Sequence, residues 1–252
     1  MNTENEIKYL FSDFTTNEFR KLIQALKAKS YTFRGFADFA KTEQFVLWRH
    51  DIDFSPQRAL ACAKIENSEG VKGTYFLHLH SEYYNLLEKN VFNIIKEIIE
   101  LGHDIGVHFD THFYNIKSEA EIIEHLGKER DFLNYLYNVD IKTFSFHNTN
   151  AFILTCNKWE YAGLINTYAS YFKEELKYCS DSNGYWRYQR MKDVINEERG
   201  SLHLLTHCEW WTDEVMSPWQ KIQRAINGRA NFAKQHYLEF LKESKMLNID
   251  YK

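Results

Sequence analysis

Two short stretches of this chain carry side chains suited to holding a cation and moving protons. In "RHDID", Asp51 and Asp53 stand two residues apart, so on a strand both carboxylates leave the same face with their α-carbons about 6.6–7 Å apart. Like charges that close repel, and a cation beside them relieves the repulsion while keeping a carboxylate ionised. In "GHDIGVHFDTHF", residues 102–113, three histidines fall within a dozen positions, and His108 and His112 are four apart. One helical turn following a strand brings imidazoles so spaced to the same side, as zinc ligation requires. Each pattern alone is weak. A D-x-D is as often a solvated turn, and in a chain with eleven histidines an H-x-x-x-H readily arises by chance. Together, one carboxylate of the D-x-D and the two imidazoles make a three-ligand site with positions left for water and substrate, which describes a catalytic centre better than a structural one.

Such residues need elements to bring them together. "FVLWRH", "GTYFLH", "DIGVHF", "TFSFH" and "LHLLTH" are short, β-branched and aromatic, and read as strands. Between and around them, "TTNEFRKLIQALKAKS", "SPQRALACAKIENSEG", "NLLEKNVFNIIKEIIELG" and "EAEIIEHLGKERDFLNYLYN" place apolar residues at helical spacing, the second with Ser55 as N-cap and Pro56 at the first helical position. The alternation predicts an α/β fold with a parallel sheet covered by helices. Four of the strands end in acidic residues or histidine: His50, Asp51 and Asp53; His108 and His112; His147; His207. In parallel α/β folds function collects at that carboxyl edge, and ionisable groups are rarely buried there without partners.

The order "RHDID", "GHDIGVHFDTH", "LHLLTH" resembles the polysaccharide deacetylase family, the NodB-homology group of metal-dependent carbohydrate esterases, from about Leu47 to Trp211. It looks closest to a branch associated with O-antigen and other surface-polysaccharide synthesis. The resemblance implies an irregular (β/α) barrel with parallel strands and outer helices. It also implies Asp51 as general base, Asp53, His108 and His112 as ligands of one divalent ion, and His207 as general acid. The expected ion is zinc, with cobalt, nickel, manganese or iron also suited to a His2Asp set. The expected reaction is hydrolysis of an N-acetyl or related acyl group on an amino sugar, the substrate being an acetamido sugar, a saccharide or a nucleotide-linked sugar. Departures accompany the match: Ile52 separates the two aspartates, and "FSFHNTNAF" lacks the arginine of the family's third motif. Arg49, Arg187 and His147 are the candidates to brace Asp51 in its place. In "CSDSNGYWR", Asp181 is expected to orient His207, and His147, Tyr185, Trp186, Arg187 and Trp210 to meet substrate.

Simpler readings apply elsewhere. His103 reads as structural, and His78 and His80 as two positions on one strand face, lining the pocket or held in the core. Trp210 and Trp211 are more often core anchors than sugar platforms, and Asp110 reads as a solvated carboxylate or one supporting the ligands. The 252 residues, 44% hydrophobic, can bury a sizeable core, and no linker, repeat or low-complexity tract marks a boundary. One domain over 1–252 is therefore expected, with an N-terminal helix at about 16–30 and a C-terminal one at about 218–245 packed outside, the latter a possible oligomer contact. A net charge of −4 leaves no basic surplus for nucleic acid. Four cysteines without a C-x-x-C, a polar acidic start and no run long enough to span a bilayer point to a cytoplasmic protein without membrane insertion. Three rival functions remain at this level: a sugar-binding homologue without catalysis, a D-x-D glycosyltransferase and a metal-dependent phosphoesterase.

Overall fold

The five expected strands form, and all pair parallel. The computed structural model describes residues 4–41, 44–197 and 200–249. Its strands are β1 (Thr32–Arg34), β2 (Phe45–Ile52), β3 (Thr74–Leu77), β4 (Asp104–Asp110), β5 (Thr143–His147), β6 (Glu160–Tyr161), β7 (Leu164–Asn166), β8 (Lys177–Ser180) and β9 (Leu202–His207). They make one curled sheet in the order β6-β7-β5-β4-β3-β2-β9-β8, with β1 beside the first half of β2. Only β6 and β7 run antiparallel, joined by a tight turn whose residues Ala162 and Gly163 both have positive φ, as a two-residue hairpin demands. The strands missed by the sequence reading, β1, β6, β7 and β8, have only two to four residues each, too few for a periodic signal.

Helices α1 (Glu4–Lys8), α2 (Thr16–Ala28), α3 (Pro56–Ser68), α4 (Lys89–Glu100), α5 (Glu119–Tyr137), α6 (Ala151–Thr155), α7 (Ser170–Glu174), α8 (Met191–Glu197) and α9 (Pro218–Glu243) accompany the sheet. Their starts are written in the chain. The Ser55 hydroxyl accepts from the Arg58 backbone N–H at the head of α3, and Ser118 with Glu121 closes a capping box on α5, each satisfying amides that no helical carbonyl can reach.

Alternation along β2 divides the core in two. Val46, Trp48 and Ile52 face the helices and join the large cluster of Ile95, Ile98, Leu126 and Phe19. Phe45 and Leu47 face the hollow of the curled sheet, where Phe36, Phe76 and Phe172 plug its lower half. Gly106 makes that plug possible. A Cβ there would lie 2.5 Å from the Phe76 ring and 2.9 Å from the Thr143 carbonyl oxygen. The hollow above the plug is left to Arg49, Asp51 and the strand-end histidines.

Helix α9 is anchored at its start by Lys221, buried with its ammonium donating to the Trp210 carbonyl at 2.6 Å. Burial pushes the Lys221 pKa down to about 7. Between that value and the ordinary ~10.4 the unfolded chain binds the extra proton, so this residue's contribution to stability rises with pH over that window. Urea unfolding of Lys221→Met and the unsubstituted protein at pH 7 and pH 10 should show the difference in unfolding free energy changing by on the order of 2–4 kcal/mol, in favour of the lysine at high pH. A difference independent of pH would contradict a lysine buried in this way.

Candidate metal centre and active site

All eight residues of β2 are buried, and the inward-facing pair Arg49 and Asp51 therefore needs partners. Arg49 Nη2 donates to Asp51 Oδ2 at 2.9 Å, and Nη1 to the Thr167 hydroxyl at 2.8 Å. The Tyr168 ring lies under the guanidinium, 5.1 Å from centroid to Cζ. Ser145 offers its hydroxyl to Asp51 Oδ1 at 3.4 Å. Of the three candidates to brace Asp51, Arg49 makes the contact. Arg187 instead lies exposed over the Tyr188 ring, and His147 turns toward Asp53.

His207 ends β9 directly opposite Asp51, the two being register partners in adjacent parallel strands. Asp181, wholly buried just after β8, accepts from His207 Nδ1–H at 2.7 Å on one oxygen. Its other oxygen accepts from the His207 backbone N–H and from the Trp211 indole. The tautomer this imposes turns Nε2 toward the hollow, 3.7 Å from Asp53 Oδ2. Burial disfavours the imidazolium, but Asp181 and Asp53 outweigh it and hold the His207 pKa well above its ordinary value.

Asp53 lies one residue past β2 and is ringed by imidazoles. His108 Nε2 is 2.9 Å and His147 Nδ1 3.4 Å from its Oδ1, and those two nitrogens are 3.1 Å apart. These spacings approach the edges, about 3.3–3.6 Å, of a tetrahedron of donors around one ion at 2.0–2.2 Å. His108 is aimed by its other nitrogen, whose N–H donates to Ser145 Oγ at 2.7 Å, leaving Nε2 with a lone pair. Asp53 Oδ1 is buried and has no hydrogen-bond partner despite the nearness of His108. The His108 lone pair accepts from His147 Nδ1–H at 3.1 Å, and the carboxylate oxygen left without a partner beside it fits a divalent cation that would take the place of the imidazole proton. Burial disfavours the charged form of Asp53, but His108, His147 and His207 prevail and keep its pKa well below the usual carboxylate range.

The segment after β4 is a turn where the sequence suggested one turn of helix. Asp110 causes it: its Oδ1 accepts from the backbone N–H groups of His112 and Phe113, bending the chain through its own side chain. His112 lines the same cavity as the cluster, but its Nε2–H donates to the Asn148 carbonyl at 2.7 Å. His147 holds the position beside Asp53 that spacing had suggested for His112. Asn148, in the left-handed region at φ 47°, touches both, because its side-chain amide also meets His147 Nε2 at 2.8 Å. A half turn of that amide would exchange its nitrogen for its oxygen there, so Asn148 sets which ring nitrogen of His147 carries the proton.

The cavity around this cluster measures about 420 Å³ and is walled by Phe146, Thr149, Tyr168 and Leu205 besides the charged residues, within the range of small-molecule sites. Four residues expected to meet substrate lie elsewhere. Trp186 donates its indole N–H to Asp13 and stacks on Phe14, Tyr185 sets its edge on Tyr9, Arg187 is exposed, and Trp210 is buried. The segment after Asp181 is thus held against the N-terminal residues rather than over the hollow. His78 and His80 separate as well, since β3 ends before them. His80 bonds the Tyr114 hydroxyl, whereas His78 sits with its ring centroid 4.2 Å from that of His147. His103 is structural: Nε2–H donates to the Ala63 carbonyl, and Nδ1 accepts from the Gly73 N–H.

No family model and no curated protein matches this chain. Among solved structures, it resembles a family 4 carbohydrate esterase from Bacillus anthracis at 13% identity and a TM-score of 0.45, with 82% of this chain and 84% of that one covered. The peptidoglycan deacetylase PdaC from Bacillus subtilis gives 10% and 0.44 over 82% and 98%. A CE4 family pseudoenzyme from Bacillus anthracis gives 12% and 0.43 over 77% of this chain, which spans 63% of that protein's length. At these identities the chemistry must be argued from this chain's own side chains.

Arg49 and Asp51 are 1% and 2% exposed, so removing one partner strands the other's charge. Arg49→Met should lower the unfolding free energy by about 3–5 kcal/mol, and adding Asp51→Asn should recover part of it. Urea unfolding of the single and double variants measures this, and purely additive losses would contradict the pair.

Proposed function

We propose that this protein is a metal-dependent hydrolase that removes an N-acetyl or related acyl group from an amino sugar of a surface-polysaccharide precursor in the cytoplasm. The observation that carries the reading is the register pairing of Asp51 with His207. It places a braced carboxylate and an imidazole backed by a buried carboxylate side by side, next to the donors Asp53, His108 and His147. That is the disposition of a base and an acid about one reacting carbon. The motif resemblance assigns the same two residues to the same two roles and supplies the substrate class.

Asp53 and His108, with a further imidazole from His147 or His112, would hold the ion, zinc being the first expectation for mixed imidazole and carboxylate donors. When bound, a divalent ion there polarises the acyl carbonyl and brings water to nucleophilic strength near neutral pH. Asp51 accepts the proton of the attacking water. Arg49 and Ser145 fix the direction of its carboxylate so that no reorientation is needed during the reaction. His207 gives the proton on Nε2 to the departing nitrogen, which would otherwise leave as a strongly basic anion. Asp181 keeps the opposite proton on Nδ1 and stabilises the imidazolium before transfer. The paired base and acid favour a catalyst over a sugar-binding homologue, and the histidine cluster has no part in a D-x-D glycosyl transfer.

Acetate release from a panel of acetamido sugars and nucleotide-linked acetamido sugars, paired with metal analysis, tests the reading. Asp51→Asn and His207→Gln should each lower kcat by roughly 10²–10⁴-fold while retaining the metal content of the unsubstituted protein. Full activity in either variant would remove that residue from its role. Release of phosphate and not acetate would replace the deacetylase with a phosphoesterase.

A further inference from the structure

His78 is 5% exposed, and among the described residues neither of its ring nitrogens has a hydrogen-bond partner. An imidazole buried in that state forfeits at least one hydrogen bond it would make in water. Its surroundings are polar. Asp110 Oδ2 lies 3.6 Å from His78 Nε2, and one donor atom each from Asp53, His78 and His147 falls within 4.8 Å of the others.

The fold holds it there deliberately on two sides. Tyr84 accepts from the His78 backbone N–H and donates its own hydroxyl proton to the Ile52 carbonyl, tying the ends of β2 and β3 together. Register then supplies a row. Ile52 pairs with Leu77, and Leu77 with Val107, and these three side chains face the helices in the large core. The residues that follow them, Asp53 and His78 just past the ends of β2 and β3 and His108 within β4, come to the opposite, hollow-facing side, where their donor groups meet. Asp110, whose other oxygen is fixed by two backbone N–H groups, stands where it can accept from one nitrogen of His78 while the other is left as a donor to a metal. A carboxylate that orients an imidazole in this way is the usual companion of a metal-bound histidine.

We propose that His78 is a direct ligand of the ion, oriented by Asp110, so that the centre draws on Asp53, His78, His108 and His147. The proposal rests on the metal-dependent reading above and adds to it a third imidazole. Donors on one tetrahedral ion stand about 3.3–3.6 Å apart, so His78 joins the set by a shift of roughly an ångström from the 4.8 Å envelope it shares with Asp53 and His147. Three imidazoles and one carboxylate select a borderline divalent ion such as zinc, cobalt, nickel or ferrous iron over magnesium or calcium.

Cobalt(II) titration of the full chain, followed by visible absorption and by the stoichiometry of bound metal, tests this without reference to turnover. The unsubstituted protein should bind one equivalent that millimolar magnesium does not displace. His78→Gln should weaken binding at least tenfold and alter the cobalt absorption bands, and Asp110→Asn should weaken it about 10–100-fold. Binding by His78→Gln with unchanged affinity and spectrum would overturn the proposal while leaving the metal-dependent reading intact. Absence of cobalt binding by the unsubstituted chain would overturn both. Should His78→Gln fail to fold, Asp110→Asn decides alone: unchanged affinity and spectrum there would count against His78 as an oriented ligand.

Discussion

The structure is organised around the burial of three consecutive ionisable residues, Arg49, His50 and Asp51, in a central strand. Each would cost several kcal/mol if left unpaired, and alternation sends them to opposite faces. On the inner face Arg49 and Asp51 neutralise each other. On the outer face His50 lies in a chain of hydrogen bonds whose directions follow from chemistry: the Trp48 indole donates to Thr206 Oγ1, the Thr206 hydroxyl donates to His50 Nδ1, and His50 Nε2–H donates to Glu66. Tyr75 donates to the second oxygen of Glu66 at 2.7 Å. Burial raises the energy of the Glu66 carboxylate, but His50, His103 and Tyr75 outweigh it and keep the pKa below its ordinary value. The result is a strand clamped to β3 and β9 from both sides, which fixes the height at which Asp51, Asp53 and His207 emerge.

The same division shapes the electrostatics of the hollow. Below the level of Asp51, aromatic rings fill the hollow, and His203 stands among Phe36, Phe172 and Tyr178. Burial and then the nearby Arg49 charge depress its pKa well below the ordinary value. Above that level the carboxylates and imidazoles face one another across a few ångströms. Low dielectric beneath and paired charges above are the conditions under which fixed dipoles act most strongly on a reacting group.

Much of this arrangement was legible in the chain. Runs such as "FVLWRH" and "LHLLTH" announced parallel strands because β-branched and aromatic residues crowd into a few positions, and the polar residues ending them announced the edge where chemistry gathers. Asp51, His207 and Asp181, far apart in the chain, come together at that edge. The i,i+4 spacing of His108 and His112 presumes helical backbone, whereas Asp110 builds a side-chain turn there, and His112 lines the cavity without lying beside Asp53 as His147 does. His147 was visible as a strand-ending histidine but not its approach to Asp53, which depends on the left-handed Asn148 and on pairing between β4 and β5. That Tyr185 and Trp186 lie against Tyr9, Asp13 and Phe14, over 170 residues away in sequence, left no local trace. His78 reads only as one of two histidines on a strand face, lining the pocket or held in the core. Its significance lies in having no partner, a property of the folded chain alone.

The central claim is that Asp53 and the imidazoles beside it grip one divalent ion at the mouth of the sheet. Anomalous diffraction from crystals of zinc- or cobalt-loaded protein, recorded at the metal's absorption edge, tests it most directly. The account predicts a single strong peak about 2.0–2.2 Å from Asp53 and His108 donor atoms, facing the side chains of Asp51 and His207. A peak elsewhere on the molecule, or none in protein loaded to one equivalent, would contradict it.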